Sequence, residues 1–264
     1  MTPVALTIAG SDNSAGAGIQ ADLKTFSHFG VYGLTAVTCV VAEVPGRVTA
    51  IQSIETRIVA EQIALSLEHF PVTALKTGML FSTEIIEAVV AALQSSSIPL
   101  VVDPVMVATS GDTLLQASAV EAYRTKLLPR ATLITPNLDE ATVLWGQGKI
   151  TSVNQMELAG KALSAEFGTA ILMKGGHLPG GSAVDLLISG NEVWRYEAPF
   201  VEGVTTHGTG CTYSAAITAQ LALGQELPQA VEVAKSYITS AIRQSFRWNS
   251  TLMALNHFPQ RDES

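Results

Sequence analysis

The chain reads as an α/β protein with a mostly parallel central sheet and helices on both faces, and three observations carry that reading. Short apolar runs alternate with amphipathic stretches from end to end, the pattern of strands interleaved with covering helices. Several of the apolar runs stop in polar residues of the kind that line ligand sites at the carboxyl ends of such sheets. The composition, 47% hydrophobic and 14% charged over 264 residues, is enough to bury a large core.

The elements follow in order. Val4 to Ile8 is predicted as the first strand, Ile19 to Phe29 as a helix, and Leu34 to Val41, rich in Val and Thr, as a second strand ending before Pro45. Val48 to Ile54 forms a small β-flap, Ile58 to Leu67 a helix and Ala74 to Lys76 a brief strand. Ser82 or Thr83 caps a helix that places Ile85, Ile86, Val89, Val90 and Leu93 on one face. Leu100 to Val102 is a buried strand ended by Asp103-Pro104, and Leu133-Ile134 another ended by Thr135-Pro136-Asn137. Asn154 is the expected cap of a helix with Met156, Ala159, Leu163 and Phe167 inward, followed by a strand from Ala170 to Met173 that ends in Lys174-Gly175-Gly176. Ala183 to Ile188 and Val193 to Tyr196 form a hairpin around Gly190-Asn191. Two helices close the chain, Thr209 to Leu223 and Pro228 to about Phe246, with Pro228 suited to a first helical turn. No repeat, low-complexity tract or linker divides the sequence, so residues 1–264 are expected to form one domain.

The formal charge of −8 gives a nucleic-acid backbone no electrostatic footprint. The uncharged stretch between Lys24 and Glu43 is broken by His28, Gly30, Gly33 and several Ser and Thr, which argues against a membrane span. A mean hydropathy of +0.31 points to a tight core or a large subunit interface. The N-terminal residues lack the charged start and longer apolar run of a signal peptide, and Cys39 and Cys211 stand in dissimilar contexts, so a reduced, cytoplasmic setting is expected.

Two glycine clusters and a row of charges carry the chemistry. In the first cluster, Gly10 to Gly18, glycines let the backbone approach a ligand while the following helix start offers N–H groups. Gly16-Ala17-Gly18-Ile19-Gln20-Ala21 matches G-x-G-x-x-A, yet a polar loop separates it from the strand, which argues against a dinucleotide site. The second cluster, Thr205 to Thr212, also precedes a helix, so amides and a positive dipole end converge near Cys211 as an anion hole. A cysteine in a first helical turn is in the setting that lowers a thiol's pKa and makes a base or nucleophile available. No G-x-x-x-x-G-K-[ST] is present, which excludes a P-loop, but Lys76, Lys174, Asp103, Asn137 and Glu140 recur at strand mouths where phosphate and magnesium are held. The absence of His-x-x-x-His and Cys-x-x-Cys pairs argues against zinc. His207 and His177 lie in glycine-rich loops, where a structural role is equally open.

These segments, together with Gly16 to Thr25, Lys76-Thr77-Gly78-Met79, Val102 to Met106, Thr135-Pro136-Asn137, Met173 to His177 and His207 to Thr212, resemble in order the hydroxymethylpyrimidine/phosphomethylpyrimidine kinases of thiamine biosynthesis. The resemblance covers nearly the whole chain. It implies a ribokinase-like three-layer sandwich, an ATP- and Mg2+-dependent phosphotransferase acting on a small aminopyrimidine alcohol and then on its monophosphate, and a homodimer. It further implies that Gly10, Asp22, Glu43, Met79 and Met106 surround the pyrimidine, with Asp22 reaching its polar groups. Asp103 and Glu140 would serve the metal, and Asn137, Lys174, His207, Thr209 and Lys235 the nucleotide. Gly208, Thr209 and Gly210 would hold the transferring phosphoryl group beside Lys174, and Cys211 would act as general base. The second phosphorylation starts from an oxygen already ionised, so it depends less on a base. One position departs from the family, which usually carries glutamine-asparagine where this chain has Glu43-Val44. An ionised glutamate only accepts hydrogen bonds, so Glu43 calls for a proton on itself or on the ring it faces, and a protonated pyridine ring, as in a pyridoxal kinase of the same branch, meets that need as well as an aminopyrimidine does.

Overall fold

The computed structural model describes residues 2–106, 117–176, 178, 182–204, 207–249 and 252–260. His177, Thr205 and Thr206, which belong to two of the sequence motifs, lie outside the described residues. The elements are β1 (Val4–Asp12), α1 (Gly18–His28), β2 (Tyr32–Val44), β3 (Arg47–Ser53), α2 (Thr56–His69), β4 (Val72–Thr77), α3 (Thr83–Ala92), β5 (Leu100–Val102), α4 (Ala117–Ala122), β6 (Leu133–Ile134), α5 (Leu138–Trp145), α6 (Val153–Phe167), β7 (Ala170–Lys174), β8 (Ser182–Ser189), β9 (Glu192–Pro199), α7 (Thr209–Ala222), α8 (Leu227–Arg243), β10 (Phe246–Arg247) and β11 (Met253–Ala254).

Nine strands form one sheet in the order β3-β2-β1-β4-β5-β6-β7-β8-β9. The run from β2 to β7 is parallel, β3 pairs antiparallel with β2 at one edge, and the β8–β9 hairpin continues antiparallel from β7 at the other. The flap is therefore an edge of the main sheet, turned back at Pro45-Gly46 where Gly46 takes a φ of +82°. Because β2 lies on one side of β1 and β4 on the other, the strand order reverses beside β1, the kind of switch point at which such sheets open a crevice.

Helices cover both faces. One core joins the sheet to α2, α3, α4, α5 and α6 through residues such as Ile63, Ile86, Leu144 and Met156. On the opposite face α1, α7 and α8 pack through Phe26, Ala219, Ile217 and Val231. Helix α7 is buried nearly all round, and its many Ala, Ser and Thr side chains are small enough to let it lie between the sheet and its neighbours.

The structure moves several expected boundaries. Ser82 is the cap of α3, its hydroxyl accepting from the Ile85 amide. The cap of α6 is Ser152 and not Asn154: Ser152 is extended and its Oγ accepts from the Gln155 amide at 3.3 Å, while Asn154 already lies in the first turn. The last helix ends at Arg243, and Phe246 pairs with Ala254 in a small antiparallel sheet that the sequence reading did not foresee. Helices α4 and α5, and the π and 3-10 turns spanning Tyr123–Arg130, were also not foreseen.

Candidate active site

A cavity of about 900 Å³ opens along the carboxyl ends of the parallel strands. Gly10, Glu43, Met79, Asp103, Asn137, Glu140 and Lys174, each placed at a strand mouth or just beyond it, line this cavity. His207, Gly208, Thr209, Gly210 and Cys211 line it from the start of α7, and Lys235 from α8.

The two glycine clusters, far apart in sequence, touch. Gly208 caps α7 with a φ of +79°, and a Cβ there would collide with the Gly16 carbonyl. That contact requires glycine both for its left-handed backbone and for its missing side chain. The two loops are not equivalent, however. In the first, Asp12 turns its carboxylate inward and accepts from the amides of Ser14 at 2.6 Å, Gly16 at 3.1 Å and Ala17 at 2.8 Å. Burial alone would raise Asp12, but His207, whose Nε2 lies 3.5 Å away, and these hydrogen bonds carry it below the ordinary value. An internal carboxylate thus takes three amides of the loop itself, while the first-turn amides of α1 are not among those it binds and Gly18 lines the cavity.

The start of α7 is arranged differently. The amides of Thr209, Gly210 and Cys211 have no carbonyl within their own helix to bond. The Thr209 hydroxyl is buried without a hydrogen-bond partner among the described residues. At Gly210 an added Cβ would come within 3.2 Å of Lys174 Nζ and 3.5 Å of Asp103 Oδ2, so glycine brings the backbone right up to these charges. Amides, an unpaired hydroxyl, a lysine and a helix dipole converge as a cradle suited to phosphate oxygens.

Below the cradle runs a ladder of alternating charges. Asp22 Oδ2 accepts from Thr7 at 2.6 Å and from Lys76 Nζ at 2.9 Å, and all three side chains are buried. Asp103 accepts from Lys174 at 3.0 Å, Thr135 at 3.1 Å and Ser214 at 3.3 Å. Burial alone would raise the Asp103 carboxyl, but Lys174 and Lys76 hold it below the ordinary range. Burial alone would lower Lys76 and Lys174, but the surrounding carboxylates raise both, so both stay charged. Lys76, expected at a strand mouth to hold phosphate, is fully buried on Asp22 and does not line the cavity, and Asp185 was not among the expected site residues. The aspartate in the middle of β8 carried no local signal. Asp185 accepts from the Gly175 amide at 3.0 Å and from Lys235 Nζ at 2.6 Å, fixing both around the cavity.

Three expectations need correcting. Asp22 does not line the cavity; its carboxylate lies beneath the floor as the counter-ion of Lys76. Met106, 2% exposed, packs in the hydrophobic core, and Val105 lines the cavity in its place. The Cys211 thiol is pushed up to about 12, not down: burial dominates, Lys76 favours the thiolate, and Asp103 and Asp22 oppose it.

Asn137 and Glu140 do a second task. Asn137 Oδ1 accepts from the Asp139 and Glu140 amides at 2.9 Å, and Glu140 Oε2 accepts from the Asn137 amide at 2.8 Å, a reciprocal cap on α5. Burial, reinforced by Asp103, pushes the Glu140 carboxyl up to about 8. Asp103 thus supplies an ionised carboxylate beside the phosphate cradle, and Glu140 a carboxyl that a bound cation would have to deprotonate; one or two protein carboxylates with waters and substrate phosphates is the donor set Mg2+ takes.

The sequence pattern of the phosphomethylpyrimidine kinase family matches residues 12–256. A hydroxymethylpyrimidine/phosphomethylpyrimidine kinase of Rhizobium meliloti is 44% identical over 94% of this chain and 93% of its own length. Among solved structures, an ADP complex of Bacillus subtilis pyridoxal kinase superposes with a TM-score of 0.90 at 40% identity, covering 97% of this chain and 98% of that one. A phosphomethylpyrimidine kinase of Clostridium difficile superposes with a TM-score of 0.80 at 44% identity, over 90% and 99%. The sandwich is thus ribokinase-like, and with its glycine cradle, lysines and paired carboxylates at the strand mouths the chain belongs to the phosphomethylpyrimidine kinase family of phosphotransferases.

Proposed function

We propose that residues 1–264 form one kinase domain that transfers the γ-phosphoryl group of ATP to 4-amino-5-hydroxymethyl-2-methylpyrimidine and then to its monophosphate, in thiamine biosynthesis. The observation that carries the reading is the start of α7, where amides, the Thr209 hydroxyl and Lys174 face one point of the cavity beside Asp103 and Cys211. Gly208, Thr209, Gly210 and Lys174 stabilise the three equatorial oxygens of the transferring group. Asp103 and Glu140 hold Mg2+, which supplies charge neutralisation on the phosphates when bound. Asn137, His207 and Lys235 border the nucleotide.

In the first transfer the thiolate of Cys211 takes the hydroxyl proton as that oxygen bonds to the γ-phosphorus and the bond to the β,γ-bridging oxygen breaks, releasing ADP. In the second transfer the attacking oxygen belongs to a phosphate and carries no proton that must be removed. Gly10, Met79 and Glu43 flank the ring. Burial, followed by Asp12, raises the Glu43 carboxyl, with His207 opposing. Once protonated, Glu43 gives one hydrogen bond and takes one, as the family's glutamine does toward an aminopyrimidine. Ionised, it pairs instead with a protonated pyridine ring, and that is the observation favouring pyridoxal as a second reading.

The protein acts in the cytoplasm as a homodimer, a reading supported by the exposed Val40 and Val44 on β2 at the flap edge. The deciding experiment offers the purified protein ATP and Mg2+ with hydroxymethylpyrimidine, its monophosphate or pyridoxal separately, and identifies products by mass. Pyrimidine diphosphate is the expected product; turnover of pyridoxal alone would overturn the first reading in favour of the second.

A further inference from the structure

The first turn of α7 is tied to the C-terminal segment of the chain. His257, 3% exposed, lies beyond β11, and its Nε2 is 3.1 Å from the Thr212 hydroxyl. The ring is held neutral by burial, and the tautomer that carries its proton on Nδ1 leaves Nε2 to accept from the Thr212 O–H. The backbone of His257 is pinned as well, its carbonyl accepting from Tyr237 Oη of α8 at 2.8 Å. The imidazole is thus held from both sides and directed at one hydroxyl.

That hydroxyl behaves unlike its counterparts. Thr25, Thr218 and Thr239, inside α1, α7 and α8, each donate to the carbonyl four residues back at 2.8 Å. For Thr212 the equivalent carbonyl is that of Gly208, which accepts the Thr212 amide at 2.9 Å and, unlike the other three, belongs to the left-handed cap on which the first turn is started. A second donor on that carbonyl would bend the turn. The turn in question carries the Thr209, Gly210 and Cys211 amides and the Cys211 thiol, and its Gly208 cap is seated on the Gly16 carbonyl with no slack.

We infer that His257 is a positioning residue for phosphoryl transfer: by drawing the Thr212 hydroxyl off the helix, it keeps the first turn of α7 straight and its amides and thiol aimed into the cavity. It touches no substrate and acts through Thr212. The family match ends at residue 256, one position before it. The role in catalysis rests on the kinase reading above, whereas the mechanical coupling of His257 to Cys211 stands apart from it.

The experiment compares His257→Ala, His257→Gln, Thr212→Val and the His257→Ala/Thr212→Val double variant. Glutamine keeps an acceptor oxygen at the reach of Nε2, and valine keeps the shape of threonine without its hydroxyl. Two readouts are taken from each: kcat and KM for whichever substrate the wild-type protein turns over, and the alkylation rate of Cys211, followed by peptide mass so that Cys39 is not counted. Expected are a kcat loss of about five- to tenfold in His257→Ala and in Thr212→Val, the scale of one neutral hydrogen bond, with KM within twofold. The double variant is expected to be no worse than either single one, and glutamine to restore the rate. Cys211 alkylation is expected to change severalfold in the same three variants and not in His257→Gln. Additive losses, no rescue by glutamine, or unchanged alkylation would overturn the inference, including where His257→Ala fails to fold, because Thr212→Val and His257→Gln still decide it. A wild-type protein that turns over none of the candidate substrates would sink the kinase reading while the alkylation rates still test the coupling.

Discussion

At the scale of single residues, the site holds its reactive groups out of their ordinary protonation ranges. Cys211 is pushed up to about 12, so at neutral pH its thiolate is scarce and grows with pH. Phosphorylation of the alcohol is expected to accelerate by about tenfold per pH unit between pH 7 and 9, whereas phosphorylation of the monophosphate, already ionised there, stays nearly flat. Stopped-assay rates for the two steps check this, and Cys211→Ala should lower the first by about 10²- to 10⁴-fold and the second far less. Equal losses in both would exclude Cys211 as the base. For Glu43 the raised carboxyl means that its donor O–H disappears as pH rises, so the wild-type KM for the pyrimidine should climb with pH. Glu43→Gln should flatten that dependence, and a KM profile unchanged by the substitution would show that Glu43 does not contact the ring. His257 is shifted the other way, down to about 4 by burial and then by Lys24. The unfolded chain binds the extra proton first, so this residue's contribution to stability is full above about pH 6.5 and is lost as pH falls toward 4. The loss amounts to roughly 3 kcal/mol. Chemical denaturation across that window should show a shallower slope in His257→Gln.

At the scale of elements, caps decide where helices begin, and they explain what local sequence could reveal. The strand mouths at Asp103, Asn137 and Lys174 were legible because a short apolar run ending in a polar residue is a local signal. The cap of α5 was equally local, since Asn137-x-x-Glu140 has capping-box spacing; it was passed over because both residues were read as ligands. The cap of α6 was misplaced by two residues because serine and asparagine are both good caps and only the extended backbone of Ser152 separates them. Ser152→Ala should cost about 1 kcal/mol in urea denaturation and Asn154→Ala within about 0.5. The reverse order would restore the original placement. What no local signal could give is the position of Asp22 and Met106 relative to the cavity. Asp22 points inward from α1 because Thr7 and Lys76, on neighbouring strands β1 and β4, receive it there, and that adjacency exists only once the sheet is assembled.

At the scale of the whole molecule, one mostly parallel sheet gathers strand ends from most of the chain into a single wall. The layer of α1, α7 and α8 closes the other side of that wall. Ligands that fill such a cavity bind the folded state only, so they must raise its stability. At a concentration 100 times its dissociation constant, a ligand adds about 2.7 kcal/mol, which for a chain of this size is a rise of roughly 5 to 10 °C in Tm. Thermal unfolding with ADP and Mg2+ is expected to show that rise, and the candidate ring compounds can be ranked in the same way. No shift with ADP at millimolar concentration would remove nucleotide from the assignment. No helix among the described residues is long and apolar enough to cross a membrane.

The carboxylate of Asp12 in its own glycine loop has a consequence for how two successive transfers share one cavity. Of the two glycine loops that meet there, one has three of its amides taken from within, which leaves the start of α7 as the better berth for an incoming polyphosphate. On the two-transfer reading, a donor seated in that berth stays put when the acceptor grows by a phosphate. It is the acceptor that must reseat, backing its ring away from the berth by the length of the group just gained. The open flank toward the flap, where Glu43 and Val48 stand, gives it somewhere to go.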